Sequence, residues 1–186
     1  MNFNARLLEL PAFVPDKRNA VYAIVDTPQG SRNKFKFNSE TGLFELGGVM
    51  PAGAMFPFEF GFIPSTLGGD GDHLDLLILL DAPTFVGCVV RVRLIGVIVA
   101  EQTERSGEVE RNDRLIAVAE KSRRHEPVRA LRQLPKALVR EIEHFFVSYN
   151  EVKGKRFNPC GRFGPARALK LVREGIARAE TAARNG

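Results

Sequence analysis

The sequence Gly68-Gly69-Asp70-Gly71-Asp72-His73-Leu74-Asp75, running directly into Leu76-Leu77-Ile78-Leu79-Leu80, decides the reading of this chain. Three carboxylates fall within six positions, after a run of glycines and before an apolar segment too short to span a bilayer. On an extended backbone Asp70 and Asp72 share one side, because side chains alternate with period two. Asp75 is out of that phase, so the chain has to bend near His73 for the three to converge. Carboxylates brought together raise one another's pKa unless a cation lies among them. A hard, oxygen-seeking ion such as magnesium is the natural partner. The plainer alternative is a solvated turn capping a strand, since short motifs carry a real false-positive rate. A calcium-binding EF-hand is excluded, because Leu74 takes the third ligand position and Asp81 the place of the bidentate glutamate.

Working outward, a chain of 186 residues is expected to form one domain, residues 1–186, with a sizeable core. The formal net charge of +5 suits an anionic ligand, although arginines such as Arg123, Arg124, Arg129 and Arg132 read as a solvated face. Cys88 and Cys160 match no zinc spacing and read as reduced thiols. Residues Met1–Arg6 show no export signal, and no apolar run reaches membrane length, so a cytoplasmic protein is expected.

Residues 1–18, with Pro11 and Pro15, read as an irregular arm. Ala20–Thr27 reads as a strand, and Lys34-Phe35-Lys36-Phe37 puts both lysines on one face. The turn Asn38–Gly42 leads to Leu43–Leu46 and closes a hairpin. Met55–Ile63 alternates Phe56, Phe58, Phe60 and Phe62, and its Pro57 argues for an edge or interrupted strand. Strands are expected at Leu74–Leu80, Cys88–Val99 and Arg114–Ala119, with a polar loop or hairpin tip over Glu101–Asp113. Helical spacing then sets in. Pro135 suits a first helical position, with Leu138, Ile142, Phe145 and Tyr149 on one face. A second helix is expected from Pro165, with Leu169, Val172 and Ile176 inward. Many strands followed by two helices argue for an α+β class, a small barrel with helices packed outside it.

The acidic loop and its surroundings resemble the soluble family I inorganic pyrophosphatases, whose signature is Asp, a small residue, Asp, usually Pro, an aliphatic residue, then Asp. His73 stands in the proline's place. The resemblance extends from Val21 to about Arg178, through the run Phe56–Ile63 and the segment His144–Tyr149. It implies a five-stranded, OB-like β-barrel flanked by two C-terminal helices, magnesium as cofactor, and hydrolysis of diphosphate to two phosphates. It also implies a homo-oligomer, commonly a hexamer in bacteria. By the same resemblance Asp70 and Asp75 are metal ligands, and Asp72 accepts a proton from the attacking water. Lys34 contacts phosphate, Tyr149 donates to it, and Asp26 replaces a family glutamate.

The departures are as informative. Lys36 stands where the family has a glutamate, Gly48 where it has an arginine, Phe56 and Phe60 where it has tyrosines, and Asn150 where it has a lysine. The family's Asp-x-Lys element aligns with Asn112-Asp113-Arg114, and its upstream aspartate falls near Glu101 or Gln102. Asp113 survives as a metal ligand only if it, and not Asn112, faces the site, since a one-residue shift sends a side chain to the other face. Glu104, Glu108 and Glu110 are alternative donors from the same loop. Arg114 and Lys36 join Lys34 as phosphate-neutralising cations. Lys36 could stand in for part of a lost metal's charge, but not for its Lewis acidity. The sequence therefore leaves three readings: a diphosphatase with a reduced site, an enzyme redirected to another phosphoanhydride, and a non-catalytic relative that binds a phosphorylated ligand or a protein. Nucleic-acid binding ranks last, for want of an RNA-binding aromatic motif. His73 reads as a surface side chain.

Overall fold

In the computed structural model, which describes residues 7, 9–17 and 19–185, the apolar run after the acidic loop forms β5 (Leu74–Leu79), and the fold is built around it. Leu76, Leu77, Ile78 and Leu79 are all buried, two toward each side of the sheet. β5 pairs antiparallel with β4 (Glu59–Ile63) and parallel with β8 (Arg114–Ala119). β4 continues to β1 (Ala20–Thr27), and β8 to the long β6 (Val89–Thr103). β1 and β6 then pair with each other, Ala20 opposite Arg93 through Ile24 opposite Val89. The order β1–β4–β5–β8–β6 therefore closes on itself into the expected barrel-like ring, which leaves these strands no long free edge.

One core fills the ring, around Val21, Ala23, Ile63, Leu76, Leu94 and Ala117, and is closed by α2 (Pro165–Asn185) through Ala168, Leu169 and Val172. A second lies between the sheet's outer face and α1 (Lys136–Val152). A separate hairpin, β2 (Asn33–Asn38) with β3 (Leu43–Val49), stands beside the ring and carries both lysines of the alternating segment. The expected strands and both helices are present, so the α+β class holds.

The structure corrects one expectation, decides between two pairs of alternatives and adds one strand. β4 is internal, between β1 and β5, and begins only after Pro57, so of the two alternatives the interrupted strand holds and the edge strand does not. The inward face of α1 is Val139, Ile142, Phe146 and Tyr149, one step round from the expected Leu138 and Phe145, which are only partly buried. The loop Glu101–Asp113 contains the end of β6 and a short β7 (Val109–Arg111) paired with it, the hairpin tip of the two alternatives. A ninth strand, β9 (Arg156–Phe163), lies between the helices and pairs with β6 from Val97 to Thr103. Of the amino-terminal arm, residues 1–6, 8 and 18 lie outside the described residues. The remainder is anchored by a bridge between Phe13 and Val21 and by buried Ala12 and Val14. Among the described residues no helix is long and apolar enough to cross a membrane.

Gly61 fixes how closely β1 and β4 approach. A Cβ there would lie 2.1 Å from the carbonyl oxygen of Ile24, a backbone atom held in the sheet. Gly61→Ala is therefore expected to destabilise the fold by about 3 kcal/mol, the upper range for overpacking. Urea denaturation reads this directly; an unchanged midpoint would show that the two strands can separate without cost.

Candidate active site

A cavity of about 330 Å³ opens where the acidic loop, the β2–β3 hairpin, the end of β6 and the end of α1 meet. The acidic loop enters it by the expected bend. Gly71 takes a φ of 84°, the Gly68 amide donates to the Asp72 carbonyl at 2.6 Å, and the Asp72 amide donates to Asp70 Oδ1 at 3.2 Å. His73 holds the bend from within: Nδ1 bonds the Thr66 carbonyl at 2.7 Å, and the ring stacks on Phe62 at 4.9 Å. It is thus a half-buried structural residue, not the surface side chain expected. Asp70, Asp72 and Asp75 all line the cavity. Burial raises the Asp70 pKa, and the charges of Asp75 and Asp72 raise it further.

The cations of the cavity lie among these carboxylates. Lys34 is buried and donates to both oxygens of Asp26, at 2.7 and 2.8 Å, with its Nζ 4.3 Å from the centre of the Phe60 ring. Burial pushes the Asp26 carboxyl up to about 6, against the opposing pull of Lys34. Two residues on, Lys36 Nζ reaches to 3.9 Å from Asp72 Oδ2. Both groups are solvated, so this pair adds well under 1 kcal/mol to stability. Arg114 is buried at the start of β8 and donates from Nη1 to Asp75 Oδ2. Its guanidinium lies 5.1 Å from the Phe146 ring centre and 5.6 Å from that of Phe157. Its Nε is buried without a hydrogen-bond partner.

At the third wall the parity of β7 and β8 is resolved. Asn112, not Asp113, lines the main cavity, and its Nδ2 donates to Oε1 of buried Gln102 at 3.0 Å. Asp113 borders a separate cavity of about 240 Å³, which Asp70 and Asp75 also border. It accepts from Arg111 Nε at 3.0 Å and from the Ala100 amide at 3.2 Å. The structure thus separates Asp113 from the main cavity, and neutral amides occupy the wall where the sequence leaves room for a carboxylate. Glu104 and Glu110 line the cavity, but Glu104 is bonded to Lys155 and to Gln102 Nε2. At the end of α1, Tyr149 and Asn150 both line the cavity, and the Asn150 amide nitrogen donates to the Phe146 carbonyl at 2.8 Å. Burial raises the Tyr149 pKa, so its hydroxyl keeps its proton and can donate. Gly48 pairs opposite Lys34 and leaves open space where the family arginine would stand. Lys153 and Lys155 also line the cavity, and the sequence reading missed both.

The donor chemistry suits one hard cation. Asp70, Asp72 and Asp75 offer oxygens, and a divalent ion among them would offset both the burial and the repulsion that raise the Asp70 pKa. Beyond that the fit is limited: Asp75 gives one oxygen to Arg114, and among the described residues no three acidic, histidine or cysteine side chains form a ready metal cluster.

A carboxylate loop set among buried and solvated cations around one cavity has the make-up of a phosphoryl-transfer site. The family model for inorganic pyrophosphatase matches residues 23–180, and the chain belongs to that family. The inorganic pyrophosphatase of Geobacillus stearothermophilus is 39% identical over 158 residues, 85% of this chain and 93% of that protein. That of Thermus thermophilus is 35% identical over 178 residues, 94% of this chain and 98% of its own length. Among solved structures, the Thermus thermophilus inorganic pyrophosphatase superposes with a TM-score of 0.82 at 33% identity, covering 92% of this chain and 97% of that one. The Neisseria gonorrhoeae inorganic pyrophosphatase gives 0.81 at 27% identity, over 96% and 99%.

Proposed function

We infer that this protein is an inorganic diphosphatase that uses a divalent cation, magnesium, held by Asp70 and Asp75. One observation carries the reading: the acidic loop and the cations Lys34, Lys36 and Arg114 line a single cavity. When bound, the cation supplies Lewis acidity, making water more acidic and drawing charge from phosphate oxygens. Asp72, whose side chain is more exposed than that of Asp75, takes a proton from the attacking water. The water oxygen forms a bond to one phosphorus, that same phosphorus's bond to the bridging oxygen breaks on the side away from the water, and the departing phosphate takes up a proton. Lys34, locked by Asp26, Lys36 and Arg114 offset the charge that gathers on the phosphoryl oxygens, and the Tyr149 hydroxyl donates to them.

A non-catalytic role would leave the crowded carboxylates without a purpose. Asp113 stays in reserve as a ligand from the neighbouring cavity. The further expectation of a homo-oligomer rests on the family resemblance; Leu43, Leu46 and Val49 give β3 an exposed apolar edge that an assembly could cover. A cytoplasmic location is part of the same reading and is in keeping with the free thiols of Cys88 and Cys160. The test is phosphate release from diphosphate, with magnesium and with a chelator. Magnesium-dependent release is the expected result; none from folded protein would remove diphosphate as the substrate.

A further inference from the structure

The cations of the cavity are paired one by one with carboxylates, with one exception. Lys34 is matched by Asp26, Arg114 by Asp75, Lys155 by Glu104, and Lys36 more loosely by Asp72. Among the described residues no carboxylate lies within ion-pair distance of Lys153 Nζ. It donates instead to the Tyr149 hydroxyl and sits 4.0 Å from the centre of that ring. Its backbone is fixed where α1 ends. The Lys153 amide donates to the Asn150 carbonyl at 2.9 Å, and its carbonyl accepts from Arg105 Nε at 2.7 Å. Gly154, at a φ of 71°, turns the chain away. The side chain thus lies back over its own last turn and into the cavity.

We propose that Lys153 is a substrate-binding residue whose ammonium takes a phosphoryl group of diphosphate beside Tyr149, supplying from one turn later the positive charge that Asn150 lacks. The proposal rests on the diphosphatase reading for the identity of the ligand but not for the existence of an anion site. A half-buried ammonium with no counter-ion is costly unless an anion arrives from outside. The charges that act on it most are like charges: Lys34 and Lys36 from β2, Lys155 beyond the turn, and Arg114 from β8. Burial and these four cations hold Lys153 down to about 8. Of the carboxylates that line the cavity, Asp26, Asp72, Asp75 and Glu104 are turned to partners of their own. An incoming phosphate would satisfy Lys153 and offset that repulsion together. A cation at a helix C-terminus is also favoured by the helix dipole, which is the competing, purely structural account.

Calorimetric titration of the full chain with methylene diphosphonate, a diphosphate mimic whose P–C–P bridge resists hydrolysis, separates the two accounts. It is run in chelator and again with magnesium, on the wild type, Lys153→Met and Lys153→Arg, with thermal midpoints measured alongside. Lys153→Met should weaken binding about ten-fold or more, the worth of one charged hydrogen bond, and Lys153→Arg should recover most of it. Between pH 7 and 9 the wild type should lose affinity relative to Lys153→Arg, since lysine discharges there and arginine does not; the comparison cancels ionisation of the ligand. Unchanged affinity in Lys153→Met overturns the proposal. So does a lowered midpoint with equal loss in both variants, or no binding by the wild type in either condition. Phosphate release assayed separately distinguishes the two readings. Binding with a Lys153 defect but no turnover removes the diphosphatase and keeps the anion site, whereas turnover with unaltered Lys153→Met binding removes only the latter.

Discussion

Asp72→Asn is expected to lower kcat on diphosphate by about 10²- to 10⁴-fold, the usual worth of a positioned general base. It should leave the fold and the binding of methylene diphosphonate close to wild type. The replacement keeps the shape of the side chain and removes its capacity to hold a proton. Structurally it is mild: the Asp72 side chain is 76% exposed, and Lys36, its ion-pair partner, stands 3.9 Å away in solvent. What Asp72 gives to the loop, it gives through its backbone, as carbonyl acceptor to Gly68 and amide donor to Asp70. Neither bond involves the side chain. A variant that is folded, binds the analogue and does not turn over would place the residue in the chemical step. Retention of more than about half of the wild-type kcat would move the base elsewhere in the cavity, with Glu110 the next carboxylate to test.

The parts of this site that the sequence revealed are those that depend on local spacing. Three aspartates with a glycine between the first two declare a tight acidic turn, and the apolar run after them declares a buried strand. Lys34 and Lys36 share a face because a strand alternates, and both line the cavity. What stayed hidden depends on registers and partners set from far away. Asn112 against Asp113 is a question of parity, and β6, to which this segment pairs, carries irregularities at Leu94/Gly96 and Val99/Ala100. Local pattern cannot carry phase across them. The inward face of α1 was misjudged by one step because Phe145 and Phe146 are adjacent and both apolar, so either completes a stripe. β9 escaped because Pro159 and Gly161 interrupt it and only Phe157 on it is buried. Pairing with β6, not its own composition, makes it a strand. Lys153 left the faintest trace, its placement four residues after Tyr149 on one helical face. Its distinguishing feature is a missing partner, which only the assembled cavity displays.

Lys34→Met is expected to cost about 3–5 kcal/mol of stability, because it strands Asp26 as an uncompensated buried charge. For a chain of this length that corresponds to a thermal midpoint lower by roughly 10 °C. Asp26 and Lys34 are both buried, so solvent cannot replace the two hydrogen bonds that are lost. The deficit should depend on pH in a definite direction. In the wild type, burial has already pushed the Asp26 carboxyl up to about 6 from an ordinary 3.8. The folded state therefore binds this proton more tightly than the unfolded chain does. Its stabilising contribution is complete below about pH 4 and is lost as pH rises through about 6. Without the ammonium, one of the influences lowering that pKa disappears, so the loss continues to higher pH. The gap between variant and wild type should consequently be smaller at pH 5 than at pH 8, as denaturant titration at the two values would show. Asp26→Asn combined with Lys34→Met should recover a large share of the stability, since no charge is then left buried, yet recover none of the affinity for methylene diphosphonate. Full recovery of both would make the pair a packing device alone. A deficit that ignores pH would mean that Asp26 is reached by water in the variant, and that the cavity is less closed around it than the wild-type burial indicates.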